Sequence, residues 1–133
     1  PLFNKMGVVY ARYGVNDKAK EYFQQALKKE PYSPALINMG NLFYMEDNYS
    51  EALQYYTQAY DVNNQSSTAL LCIARTNHEL ENYGSVRNQY ALLKEMDRDL
   101  AAQFAYLDLR GTEANRAADA AGISEVVLWD EEE

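Results

Sequence analysis

The chain has 133 residues, 47% hydrophobic and 24% charged, with a net charge of −8 and one Cys, which fits one small globular domain able to bury a core. It contains no apolar run of the ~18 residues a membrane span needs and no basic-then-apolar opening of the signal-peptide kind, so membrane insertion is not expected. A pI near 4.6 with no concentrated basic face argues against nucleic acid, and Lys28-Lys29 is better explained as a pair of cations at a helix C-terminus. The chain opens on Pro1 rather than Met, which reads as an excerpt and leaves the compartment open.

Apolar residues recur at helical spacing throughout, and no segment up to about residue 98 alternates with period two. The first helix is expected over about Leu2–Tyr13, stopped by Gly14, and the second over about Asn16–Glu30, ended by Pro31. The third, near Pro34–Met45, has Ser33 as cap and Pro34 at its first position. The fourth, about Tyr49–Val62, has Asn48 as cap and Glu51 three residues on, the pattern of a capping box. The polar string 63–67 supplies a Ser cap for a fifth helix over about Thr68–Leu80, and a sixth follows over about Tyr83–Met96. One more helix is expected over Asp99–Leu109, with Leu100, Phe104 and Leu107 on its apolar face and Gly111 as its stop. A short Ala-rich helix, Ala114–Ala121, ends at Gly122.

These helices repeat. Gly7, Ala19, Phe23 and Ala26 lie 33 residues before Gly40, Ala52, Tyr56 and Ala59, and Ala74, Tyr83, Val86, Tyr90 and Leu93 lie 34 residues after Gly40, Tyr49, Ala52, Tyr56 and Ala59. A period near 34 denotes an array of helix pairs. The small residues mark a tight crossing, Gly40 being expected opposite Ala52. With Phe3, Met6, Gly7, Tyr10, Ala19, Phe23, Ala26 and Pro31 in the first unit, the chain resembles the tetratricopeptide repeat family over about residues 2–98. The second unit departs mildly, apart from Asn64 at the place of the proline, and the third is degenerate. The resemblance implies an all-α fold, an α-solenoid of antiparallel helix pairs comprising three repeats (1–32, 33–66 and 67–98) and a capping helix. Residues 99–121 would be the cap and the Ala-rich helix, and 122–133 an acidic tail. It also implies a protein-binding role as scaffold or adaptor.

Nothing points to an enzyme. Cys72 and His78, six residues apart on one helix, face about 240° away from each other and cannot form a nucleophile–base pair. Cys72 reads as a small packed residue. No metal-ligand spacing and no phosphate loop appear, so no cofactor is expected.

In a stacked array the first helix of each pair lines the inner, concave face. Positions three before, one after, and four and five after the small residue then face the groove. These are Asn4, Val8, Ala11 and Arg12; Ile37, Asn41, Tyr44 and Met45; and Leu71, Arg75, His78 and Glu79. Asn41 can both donate to and accept from a peptide main chain, and Arg75 offers a fork for a carboxylate. The expected partner is a protein or peptide segment. A sharper alternative is the family's carboxylate clamp for acidic chaperone C-termini. Asn41 and Arg75 match two of its five positions, but Asn4, Val8 and Leu71 stand where Lys, Asn and Lys are expected. A further alternative is a structural, self-associating segment.

The acidity is concentrated at the end, since residues 111–133 hold one Arg and seven acids. Val126-Val127-Leu128-Trp129 followed by Asp130-Glu131-Glu132-Glu133 has the make-up of a linear motif, an apolar anchor with an acidic end. It is expected to dock on the groove of this molecule or a neighbour, meeting Arg75 or Arg12. The competing expectations are a solvated tail or a remnant fourth repeat, with Ala120 standing 34 residues after Val86.

Overall fold

The computed structural model describes residues 1–131, which form two compact units: residues 1–65 with 128–131, and residues 66–127. Among the described residues every regular element is helical and the helices pack in adjacent pairs, so the all-α, helical-repeat class expected from the periodicity holds. Glu132 and Glu133 of the acidic run lie outside the described residues.

The first unit holds α1 (Leu2–Arg12), α2 (Asn16–Ala26), α3 (Ser33–Met45) and α4 (Tyr49–Val62). Helix α4 has the expected bounds. Helix α2 stops short of the expected Glu30, because at Leu27 the N–H is shared between the Phe23 and Gln24 carbonyls and Lys28 N–H bonds Gln25. The last turn tightens to 3₁₀ geometry and the helix ends. Two expected caps are not made. Ser33 Oγ instead donates to Ala59 O of α4 at 3.0 Å, so the hydroxyl ties α3 to its partner rather than closing its own first turn. Asn48 stands at the cap position of α4 without a side-chain cap bond.

The close crossing within each pair is between a glycine and a ring. A Cβ at Gly40 would stand 2.6 Å from Tyr56 Cε1, and one at Gly7 would run into Phe23 in the same way. The expected opposition of Gly40 to Ala52 is therefore corrected: the glycine makes room for an aromatic ring on the second helix. Ala19, Ala52 and Ala59 are fully buried, and Phe23 joins Val8, Ala11, Ala19, Met39 and Leu42 in one apolar cluster.

The second unit contains α5 (Ser67–Glu79), α6 (Tyr83–Met96), α7 (Arg98–Gln103), a 3₁₀ turn (Ala105–Asp108) and α8 (Gly111–Ala121). Ser66 Oγ caps α5 through Ala69 N–H, and Asp97 Oδ1 caps α7 through Leu100 N–H, both at 3.0 Å. With Ala74 in place of glycine, the Tyr90 hydroxyl reaches Ala101 O at 2.7 Å. The single helix expected over Asp99–Leu109 is broken at Phe104. Beyond Phe104 the chain continues as the 3₁₀ turn, and Phe104, Tyr106 and Leu107 are all buried. Gly111, expected as a stop, is the first residue of α8. Ala120 is exposed while Ala114 and Ala118 are buried, which removes the fourth-repeat register.

The repeat is also written in the backbone. Positive φ falls at Gly14, Asp47 and Glu81, spaced like the glycines and alanines. Each turn carries the same reverse bond: Val15 N–H to Tyr10, Asn48 N–H to Phe43, and Asn82 N–H to Asn77, each at 2.9 Å. Such left-handed closures favour glycine, and a side chain there costs roughly 1 kcal/mol. Glu81→Gly is therefore expected to stabilise the protein by about 0.5–1 kcal/mol in chemical denaturation, the greater freedom of glycine in the unfolded chain offsetting part of the gain. A lower stability would mean that the Glu81 side chain contributes more than its strain removes.

Candidate functional site

Asn38 poses the local problem from which the site follows. It sits in the middle of α3, where residues 33–42 are buried without interruption, and a buried carboxamide must find partners for two N–H groups and an oxygen. Its Nδ2 donates to Asn4 Oδ1 of α1 and to the main-chain carbonyl of Asp130, both at 2.8 Å, and its Oδ1 accepts Asp130 N–H at 2.8 Å. Asn4 Nδ2 donates to the same Asp130 carbonyl at 2.8 Å. One turn along α3, Asn41 Nδ2 donates to Leu128 O at 2.9 Å while its Oδ1 accepts the Tyr56 hydroxyl at 2.6 Å. Three asparagines, none more than 1% exposed, thus hold the extended main chain of 128–130 in a closed network.

Side chains of the same segment take two further positions. The Trp129 ring packs on the apolar cluster that contains Val8, its centroid 6.4 Å from that of Phe23 with the planes 21° apart, within the range of favourable offset stacking. Glu131 pairs with Arg12 at 2.5 Å, both side chains being about half exposed. Solvent limits such a pair to about 0–1 kcal/mol, so it orients the segment more than it anchors it.

In the second unit Arg75 is buried, and its guanidinium is spent on main chain as well. Nη1 donates to Val126 O at 2.6 Å and Nη2 to Ile123 O at 3.4 Å. Nε faces the Tyr106 hydroxyl at 3.4 Å, and the group lies over the Phe104 ring. Burial pushes the Tyr106 phenol above its usual pKa, with the Arg75 charge working the other way. His78 Nε2 lies 2.7 Å from Leu109 O. A carbonyl can only accept, so that nitrogen carries the proton, and the ring is held edge-on between Tyr83 and Tyr106.

Of the residues expected to face a groove, Asn4, Val8, Arg12 and Asn41 gather around residues 128–131. Ile37 and Leu71 are fully buried rather than presented as groove surface. Tyr44 meets Tyr49 edge-on, and Met45, at the end of α3, is exposed. Arg75 holds residues 123–126 and His78 the chain at 109. Of the docking expected on Arg75 or Arg12, the acidic end meets Arg12, through Glu131 and within this chain, while Arg75 takes main-chain carbonyls; residues 126–131 form no further helix.

Sequence reasoning missed Asn38, Phe23 and Tyr56 as parts of the site. The available signal was Asn38 itself, a poor helix former set between Ile37 and Met39 in an apolar helix. Phe23 and Tyr56 read as packing rings, and they are that too. Among the described residues no group of His, Cys, Asp and Glu could hold a metal ion, and no helix is long and apolar enough to cross a membrane. In comparisons with known proteins, no family model and no curated protein matches this chain.

Proposed function

We propose that the protein is a helical-repeat interaction module of the tetratricopeptide kind, which grips an extended peptide segment by its main chain on the α1–α3 face of the first unit. One observation carries this reading: buried Asn4, Asn38 and Asn41 place their amides at the positions needed by the N–H and C=O groups of an extended strand. Amides aimed at main-chain groups recognise the shape of a backbone whatever its side chains, which suits a scaffold or adaptor that takes a segment of a partner protein. The carboxylate-clamp alternative has less support, since Asn41 and Arg75 here take main-chain carbonyls.

A second reading is favoured by Trp129, which packs on the apolar cluster of the first unit. In that reading 128–131 is a structural closure of the fold and the site has no outside ligand.

Asp130→Pro separates the two. It removes the N–H that Asn38 accepts and should free the segment while leaving every helix intact. A peptide module should then keep its helicity and bind labelled extended peptides in fluorescence polarisation. Adding Asn41→Ala should weaken all of them by a similar factor, about fivefold to tenfold for one lost hydrogen bond. If the variant stays helical and no peptide saturates it, the binding reading is wrong and the closure reading stands.

A further inference from the structure

We infer that the partner segment carries an aromatic residue, then any residue except proline, then an acidic residue, and that residues 128–131 are the in-chain competitor for its site. This rests on the peptide-binding reading above and adds the side-chain preference that the geometry imposes. Leu128 and Asp130 are held through main-chain atoms, so their side chains are not what the asparagines read. At 130, however, proline would lack the N–H that Asn38 Oδ1 accepts. Trp129 is read by its ring, on Phe23 and the cluster around Val8 and Met39. A flat aromatic satisfies that contact, whereas a small or polar residue leaves the surface uncovered. Glu131 is read by Arg12, whose positive charge at the rim selects an acid two places after the aromatic.

The same details make the bound segment displaceable. Leu128, Trp129, Asp130 and Glu131 all remain partly exposed, and the segment has no helical or sheet ladder of its own, so it can leave without unfolding α1–α4. A tethered competitor acts at an effective concentration of roughly millimolar. A partner with the same pattern therefore has to outcompete it, and release of the segment sets how readily the site is available.

The test uses the full chain with Asp130→Pro and a fluorescein-labelled peptide having the sequence of residues 124–131. The variant should bind it at least tenfold more tightly than the unaltered chain. A peptide with Ala for Trp should bind the variant at least tenfold more weakly, and one with Lys for the final Glu about threefold more weakly. That last loss should reverse when Arg12→Glu is added to the protein. Equal binding of all three peptides would overturn the inferred pattern while leaving a main-chain-reading module in place. No binding of any peptide to the folded variant would remove the peptide-binding reading itself. Equal affinity in the variant and the unaltered chain would show that 128–131 is not a competitor. Should Asp130→Pro fail to fold, the unaltered chain still decides. A peptide with Phe for Trp, added to millimolar concentration, should shift the emission of Trp129, the single tryptophan, to the red, and an unmoved spectrum overturns the inference.

Discussion

Gly40→Ala is expected to destabilise the protein by about 1–3 kcal/mol, although alanine is the better helix former by about 1 kcal/mol. The added methyl would stand 2.6 Å from Tyr56 Cε1 and 2.7 Å from Cδ1. Tyr56 is only 1% exposed, and its hydroxyl is fixed on Asn41 at 2.6 Å. To yield, the ring must give up that bond or push α3 from α4. The thermal midpoint should fall by several degrees. Gly84→Ala, in α6, is the matched control: nothing lies within 4 Å of its added methyl, so propensity alone acts and the midpoint should rise by the equivalent of about 0.5–1 kcal/mol. If both changes raised the midpoint, the close approach of Gly40 to Tyr56 would be wrong.

Asn38→Leu is expected to cost about 3 kcal/mol, on the basis of roughly 1–3 kcal/mol for each buried polar group left without a partner. Leucine has the same branching and number of side-chain heavy atoms, so the main loss is of hydrogen bonds, with its two methyl groups adding some overpacking. Asn4 Oδ1 and Asp130 N–H lose the partner described for them, and the Asp130 carbonyl loses one of two donors. The segment should detach, and Trp129 emission should move to the red at temperatures where the helices remain folded. A destabilised protein whose Trp129 emission does not move would show that the ring contact with Phe23, and not the asparagines, holds the segment.

The helices were legible because their apolar spacing and packing residues agree. Helices α4 and α6 have the bounds that Tyr49, Ala52, Tyr56 and Ala59, and Tyr83, Val86, Tyr90 and Leu93, require of a helix that buries one face. Legibility failed where two local rules compete. At Phe104 the helical spacing of 100, 104 and 107 was visible, but the change to a 3₁₀ turn that buries Tyr106 with Phe104 and Leu107 was not. At Ser33 a good capping residue found a better acceptor in a carbonyl of the neighbouring helix, a contact with no trace in local sequence. The site was legible at Asn4, Val8, Arg12 and Asn41 because the repeat fixes which positions face the same way. Asn38 lies one place outside that set, and its role depends on a segment 92 residues away.

The placement of the Asp130 N–H has a consequence in time rather than in energy. Because its acceptor is a fully buried side-chain oxygen on α3, that proton can exchange with solvent when the segment lifts, without the helices opening. Its exchange rate is therefore a clock for the attachment of 128–131, separate from the much slower clocks within α3 and α4. A ligand that takes the site leaves Asp130 fast-exchanging while the helix amides hold their protons.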